Sequence, residues 1–63
     1  MPIVTVQQSP RSLELKRELA QKITEAFVSV YGVPEEGVQV FFAEFSHENW
    51  AKGGKLACDK KSE

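Results

Sequence analysis

Apolar positions fall into three blocks separated by proline and glycine, and each block carries a different period. The first, Ile3-Val4-Thr5-Val6, is β-branched throughout and predicts a strand that runs on to Gln8. Pro2 stands at its head, where a missing N–H costs no ladder bond. Ser9-Pro10-Arg11-Ser12 then breaks the strand and turns the chain. In the second block Leu15, Leu19, Ile23, Ala26, Phe27, Val30 and Tyr31 recur at intervals of three and four. Glu14, Lys16, Arg17, Glu18, Gln21, Lys22 and Glu25 occupy the other sides. This pattern predicts an amphipathic helix of about five turns. Ser12 is its expected N-cap, Glu14 puts negative charge in the first turn, and Gly32 followed by Pro34 ends it.

The third block, Val38-Gln39-Val40-Phe41-Phe42-Ala43-Glu44-Phe45, follows a Pro34-Glu35-Glu36-Gly37 turn and reads as a second strand. Val38, Val40 and Phe42 point to one face, and Phe41, Ala43 and Phe45 to the other. A strand apolar on both faces is covered on both. One helix covers only one of them, so the other is expected to meet another copy of the chain. Strand, long helix, strand is the order of a parallel crossover. The expected class is therefore α/β, with a β-α-β unit. Beyond it come a polar loop holding Trp50, a Gly53-Gly54 pair that predicts a hairpin, and a short apolar segment through Cys58. The tail Asp59-Lys60-Lys61-Ser62-Glu63 is charged and expected to fray.

With 63 residues there is room for one domain, taken as 1–63. A chain this short buries only about 60% of the surface its unfolded form exposes and needs a staple. The single cysteine, Cys58, excludes an internal disulfide, and no Cys/His cluster offers a structural metal, so oligomerisation is the staple that remains. The net charge of −1, with acids and bases interspersed, gives no nucleic-acid or anionic-membrane signal. No apolar run is long enough to span a bilayer and the N-terminus does not read as a signal peptide, so a cytoplasmic protein is expected. His47 reads as a surface residue and Cys58 as a small buried hydrophobe, while Glu44, alternating with apolar neighbours, reads as paired at an interface with its function open.

The candidate chemistry lies at the N-terminus. Removal of Met1, which is expected, makes Pro2 a free secondary amine held rigid by its own ring. An α-amino group titrates near pH ~8, and apolar surroundings or a nearby cation lower that value. Such an amine is a competent base near neutrality. Taken alone, proline at position 2 signals only that methionine is trimmed.

Pro2-Ile3 at the start, Arg11 closing the loop behind the first strand, the Pro34 turn leading to Val38 and Val40, and the Trp50 to Gly53-Gly54-Lys55-Leu56-Ala57 segment come in one order and spacing. With the strand-helix-strand order, they resemble the 4-oxalocrotonate tautomerase family from Pro2 to about Ala57. The resemblance implies a β-α-β unit that dimerises into a four-stranded sheet core and assembles further, commonly as a hexamer. It implies an isomerase of aromatic-compound breakdown, without a cofactor, acting on small carboxylate enols. Pro2 would be the general base that takes a proton from a 2-hydroxydienoate and returns it to carbon, giving the conjugated ketone. Arg11, supplied by a neighbouring subunit, would hold a substrate carboxylate through a bidentate pair. Trp50 would keep the pocket apolar.

The chain departs from the family pattern at three places. Gln39 stands where many members carry an arginine that binds the second anionic end of the substrate or polarises its 2-oxygen; Lys52, Lys60 and Lys61 are candidates for the missing cation. The loop between Pro2 and Arg11 is one residue short of the commonest pattern, and Ala51 replaces a usual glycine. Related enzymes that dehalogenate acrylates need a second arginine near Gln8 or Ser9, where this chain is neutral, and rank well below tautomerisation. The reading from another class is a non-catalytic oligomeric binding or scaffold protein that keeps the fold.

Overall fold

The computed structural model describes residues 1–59. Strand β1 (Ile3–Gln8) leads through a short loop into helix α1 (Leu13–Tyr31), and strand β2 (Gln39–Glu44) follows after a single 3-10 turn at Glu35–Gly37. β1 and β2 pair in parallel, from Ile3 opposite Gln39 to Gln8 opposite Glu44. A 3-10 turn at His47–Asn49 leads to a two-rung antiparallel hairpin of β3 (Ala51–Lys52) and β4 (Lys55–Leu56), and a last 3-10 turn covers Ala57–Asp59. The α/β class and the β-α-β unit with a C-terminal hairpin are as expected. The expected fraying concerned the tail from Asp59 onward, and Lys60 and Lys61, two of the candidate cations, lie outside the described residues.

Local chemistry explains the boundaries. The Ser12 hydroxyl accepts from the Leu15 N–H at 3.2 Å, which satisfies one of the orphan donors of the first turn. At the other end Gly32 takes the left-handed conformation, φ 71°, and its N–H returns to the Val28 carbonyl at 2.9 Å. The β3–β4 turn needs positive φ at two successive residues, 63° at Gly53 and 82° at Gly54, which only glycine adopts freely.

Packing is one-sided. Val4 and Val6 of β1 and Val40 and Phe42 of β2 are half-buried on one face of the ribbon, and Ala20, Ile23, Thr24, Phe27 and Val28 are half-buried on the helix. The opposite face is open: Ile3 is 61% exposed and Phe41 52%. The helix also departs from the expected stripe. Ile23 and Phe27 are half-buried, whereas Leu15, Leu19, Ala26, Val30 and Tyr31 remain exposed. The seven apolar positions span a wider arc than a two-stranded ribbon covers, so the helix carries a covered stripe and an uncovered one. Among the described residues no apolar side chain is fully buried. The accessible surface is 5215 Å², against about 4,100 Å² for a compact protein of 7.1 kDa. A single chain therefore has no closed core.

Candidate functional site

Pro2 is half-buried at the head of β1, and its carbonyl accepts the Gln39 N–H at 3.0 Å. That bond is the first rung of the parallel pairing, so it fixes the proline ring relative to the start of β2. The Gln39 side chain is exposed beside it, one residue past the half-buried Val38. Met1 is 87% exposed and lies across Gly37, the one fully buried residue among those described. A Cβ at Gly37 would stand 3.6 Å from the Met1 Cε. While Met1 is in place the Pro2 nitrogen is an amide with no basic lone pair.

Arg11 and Trp50 lie at the far end of the same ribbon. Six strand residues at about 3.3 Å each put roughly 20 Å between the Pro2 end and the Gln8 end. Arg11 follows the last residue of β1 by three positions, and its backbone N–H donates to Glu44 Oε2 at 3.1 Å, at the last position of β2. Trp50 packs edge-to-face on Phe45 with ring centroids 6.1 Å apart, and its carbonyl accepts the Ala57 N–H at 2.7 Å, which closes the hairpin under it. Gln7, Phe45, Asn49, Trp50 and Ala51 line a shallow hollow at this end. Lys52 and Lys55 lie opposite one another on β3 and β4 and flank Trp50 on its other side. Within one chain, then, Pro2 meets Gln39, while Arg11 and Trp50 sit apart from them.

Two residues differ from the sequence expectation. Cys58 is exposed rather than buried: the 3-10 turn at Ala57–Asp59 carries it outward, and its thiol donates to Asp59 Oδ1 at 3.8 Å. Glu44, expected to be paired at an interface, is bound twice within its own chain, by the Arg11 N–H and by Lys16 Nζ at 2.9 Å on the same Oε2. The ammonium of Lys16, and after it the Arg11 N–H, hold its carboxyl below the ordinary value of 4.5. The sequence signal was a charged residue ending an apolar strand; its partner Lys16 is 28 positions earlier and visible only in the fold. His47 is exposed, as expected. Among the described residues no group of His, Cys, Asp and Glu is arranged to hold a metal ion, and no helix is long and apolar enough to cross a membrane.

Comparison with known proteins fits this arrangement. The tautomerase enzyme family matches residues 2–60. The chain is 44% identical over 61 residues to a probable tautomerase of Bacillus cereus, covering 95% of this chain and all of that protein. It is 40% identical over 60 residues to the 2-hydroxymuconate tautomerase of Bacillus subtilis, covering 94% of this chain and 97% of the relative. Among solved structures, a 4-oxalocrotonate tautomerase homologue superposes with a TM-score of 0.89 at 36% identity, over 98% of this chain and all of that one. A homologue from the tomaymycin biosynthetic pathway superposes with a TM-score of 0.84 at 29% identity, over 92% and 91% of the two chains. A rigid proline heading a parallel β-α-β ribbon, matched over nearly its whole length by these relatives, makes the chain a member of the 4-oxalocrotonate tautomerase family.

Proposed function

We propose that the chain, with Met1 removed, converts 2-hydroxydienoate enols to conjugated ketones, with the Pro2 amine as general base. The observation that carries this reading is the Gln39 N–H bond to the Pro2 carbonyl, which fixes the ring whose nitrogen becomes a secondary amine once Met1 is removed. The neutral amine takes the enol proton, and the resulting secondary ammonium returns it to carbon. No bond to the protein forms, and no cofactor takes part.

Two copies or more complete the site. Arg11 and Trp50 lie about 20 Å from Pro2 along their own ribbon, so they reach a proline only when they belong to another copy. The open face with Ile3 and Phe41, the ribbon's free edges and the uncovered helix stripe supply the surfaces for such an assembly, with a four-stranded dimer core and a hexamer as the expected form. In the assembly Arg11 clamps a carboxylate, Trp50 excludes water from the proline, and Gln39 donates a neutral hydrogen bond to the 2-oxygen or to the distal end. A hydrogen bond to a charged group is worth roughly 1.5 to 3 kcal/mol, so Gln39 in place of arginine weakens a second carboxylate by one or two orders of magnitude. Single-carboxylate enols are thus favoured over 2-hydroxymuconate unless Lys52 supplies the charge.

The test is ketonisation of 2-hydroxymuconate and of phenylenolpyruvate, followed by ultraviolet absorbance across pH, with Pro2→Ala as control. The expected rate rises through an apparent pKa below the ~8 of a free α-amine and falls at least about a hundredfold in the variant. Equal rates in the two proteins, with the native mass unchanged, would establish the scaffold reading instead.

A further inference from the structure

We propose that Glu44 is the positioning residue for Arg11: its carboxylate, neutralised by Lys16, holds the backbone of the arginine so that the guanidinium faces a substrate carboxylate. The proposal rests on the tautomerase reading above.

Three elements meet at this carboxylate. β2 ends on it, opposite Gln8 of β1; the segment between β1 and α1 donates the Arg11 N–H at 3.1 Å; and α1 reaches back with Lys16 Nζ at 2.9 Å. The pair lies at the surface, with 24% of the lysine side chain and 26% of the glutamate side chain exposed. The Arg11 segment belongs to neither regular element, so it has no ladder of its own to fix it. Among the described residues its guanidinium makes no hydrogen bond or ion pair within the chain. Arg11 is thus fixed at the backbone and free at the charged end, which is the state an anion clamp requires.

Charge decides why lysine is part of the device. A lone carboxylate this close to Arg11 would compete with the substrate for the guanidinium. Lys16, at the same Oε2 that accepts the Arg11 N–H, offsets that charge. The groups facing Glu44 are Lys16 from α1, Arg11 from the connecting segment and the Gln8 amide from β1. His47 and Glu48, in the turn after β2, line the neighbouring hollow together with Arg11.

Two arms test it. In the first, Glu44→Ala is expected to raise KM for a carboxylate enol about tenfold while kcat stays within twofold and the ascending limb of the pH profile, set by Pro2, does not move. Glu44→Gln, which keeps an acceptor oxygen, should recover part of the loss. An unchanged KM, or a fall confined to kcat, overturns the proposal. In the second, the Arg11 amide and the Glu44 carboxyl carbon of the wild-type protein are followed by NMR in one acid titration. Coincident midpoints below 4.5 support the anchor, and an Arg11 amide indifferent to Glu44 overturns it even if the variants fail to assemble. An inactive wild type would refute the tautomerase reading, while the amide titration still decides whether Glu44 holds Arg11.

Discussion

Phe41 is the place where the absence of a core in one chain becomes measurable. It lies on the open face of the ribbon, paired with Thr5 across the parallel ladder, and 52% of it is exposed. An aromatic side chain carries roughly 200 Å² of surface, so about 100 Å² is left for a neighbour to cover. At about 25 cal/mol per Å² this is ~2.5 kcal/mol for each copy, and about 5 kcal/mol for an interface to which two copies contribute the same residue. Phe41→Ala should therefore raise the dissociation constant of the assembly by three to four orders of magnitude. Sedimentation velocity over a dilution series reads that shift directly. Far-ultraviolet circular dichroism on the same samples should lose amplitude as the chains separate, because the separated chain lacks a core. A variant with the parent's sedimentation profile at every concentration would refute the argument that this face is an interface.

The remaining predictions concern the site and the helix. Gln39→Arg should raise kcat/KM for 2-hydroxymuconate by about ten- to a hundredfold and change phenylenolpyruvate little; equal gains on both would show that the added charge does not meet the second carboxylate. Ser12→Ala removes the hydroxyl that accepts from Leu15 and should cost about 1 kcal/mol, a fall of roughly 4–8 °C in the melting temperature at fixed protein concentration. Because Glu44 is held below 4.5, its pairing stabilises the fold fully above that pH and is lost as pH falls through the lowered value. The denaturant midpoint should decline on the acid side, and more steeply for the parent than for Glu44→Gln.

Most of the fold was written in local signals. Ser12, Gly32 and the Gly53-Gly54 pair mark their boundaries through backbone chemistry that needs no distant partner, and the structure places a cap or a turn at each. The parallel pairing followed from two short β-branched or aromatic runs separated by one long helix. The helix stripe was less legible, because periodicity tells which residues are apolar and not which neighbour covers them. Ile23 and Phe27 lean on their own sheet while Leu15, Leu19 and Val30 wait for a different surface, yet all five obey the same spacing. Cys58 was misplaced for a related reason: it follows Leu56 and Ala57, but a 3-10 turn has three residues per turn and carries it away from them.

The site itself divides along the ribbon. Pro2 and Gln39 share one end because the parallel register sets the first residues of β1 and β2 side by side, and a resemblance in sequence could find them without any structure. Arg11 is held at the other end through Glu44, and Glu44 through Lys16, a chain of contacts joining residues 33 and 28 positions apart that no spacing rule reveals. A strand of about 20 Å cannot be crossed by any arginine, whose side chain reaches only a third of that length. Glutamine at position 39 falls on the proline's end, where, in the proposed function, it sets substrate charge preference, whereas Glu44 and Lys16 lie at the end that, in the same proposal, another copy presents. Charge selection and assembly are therefore tested by different variants: Gln39→Arg should alter the first without touching the native mass, whereas Phe41→Ala should weaken the second and, by withdrawing the other copy's Arg11 and Trp50, lower activity with it.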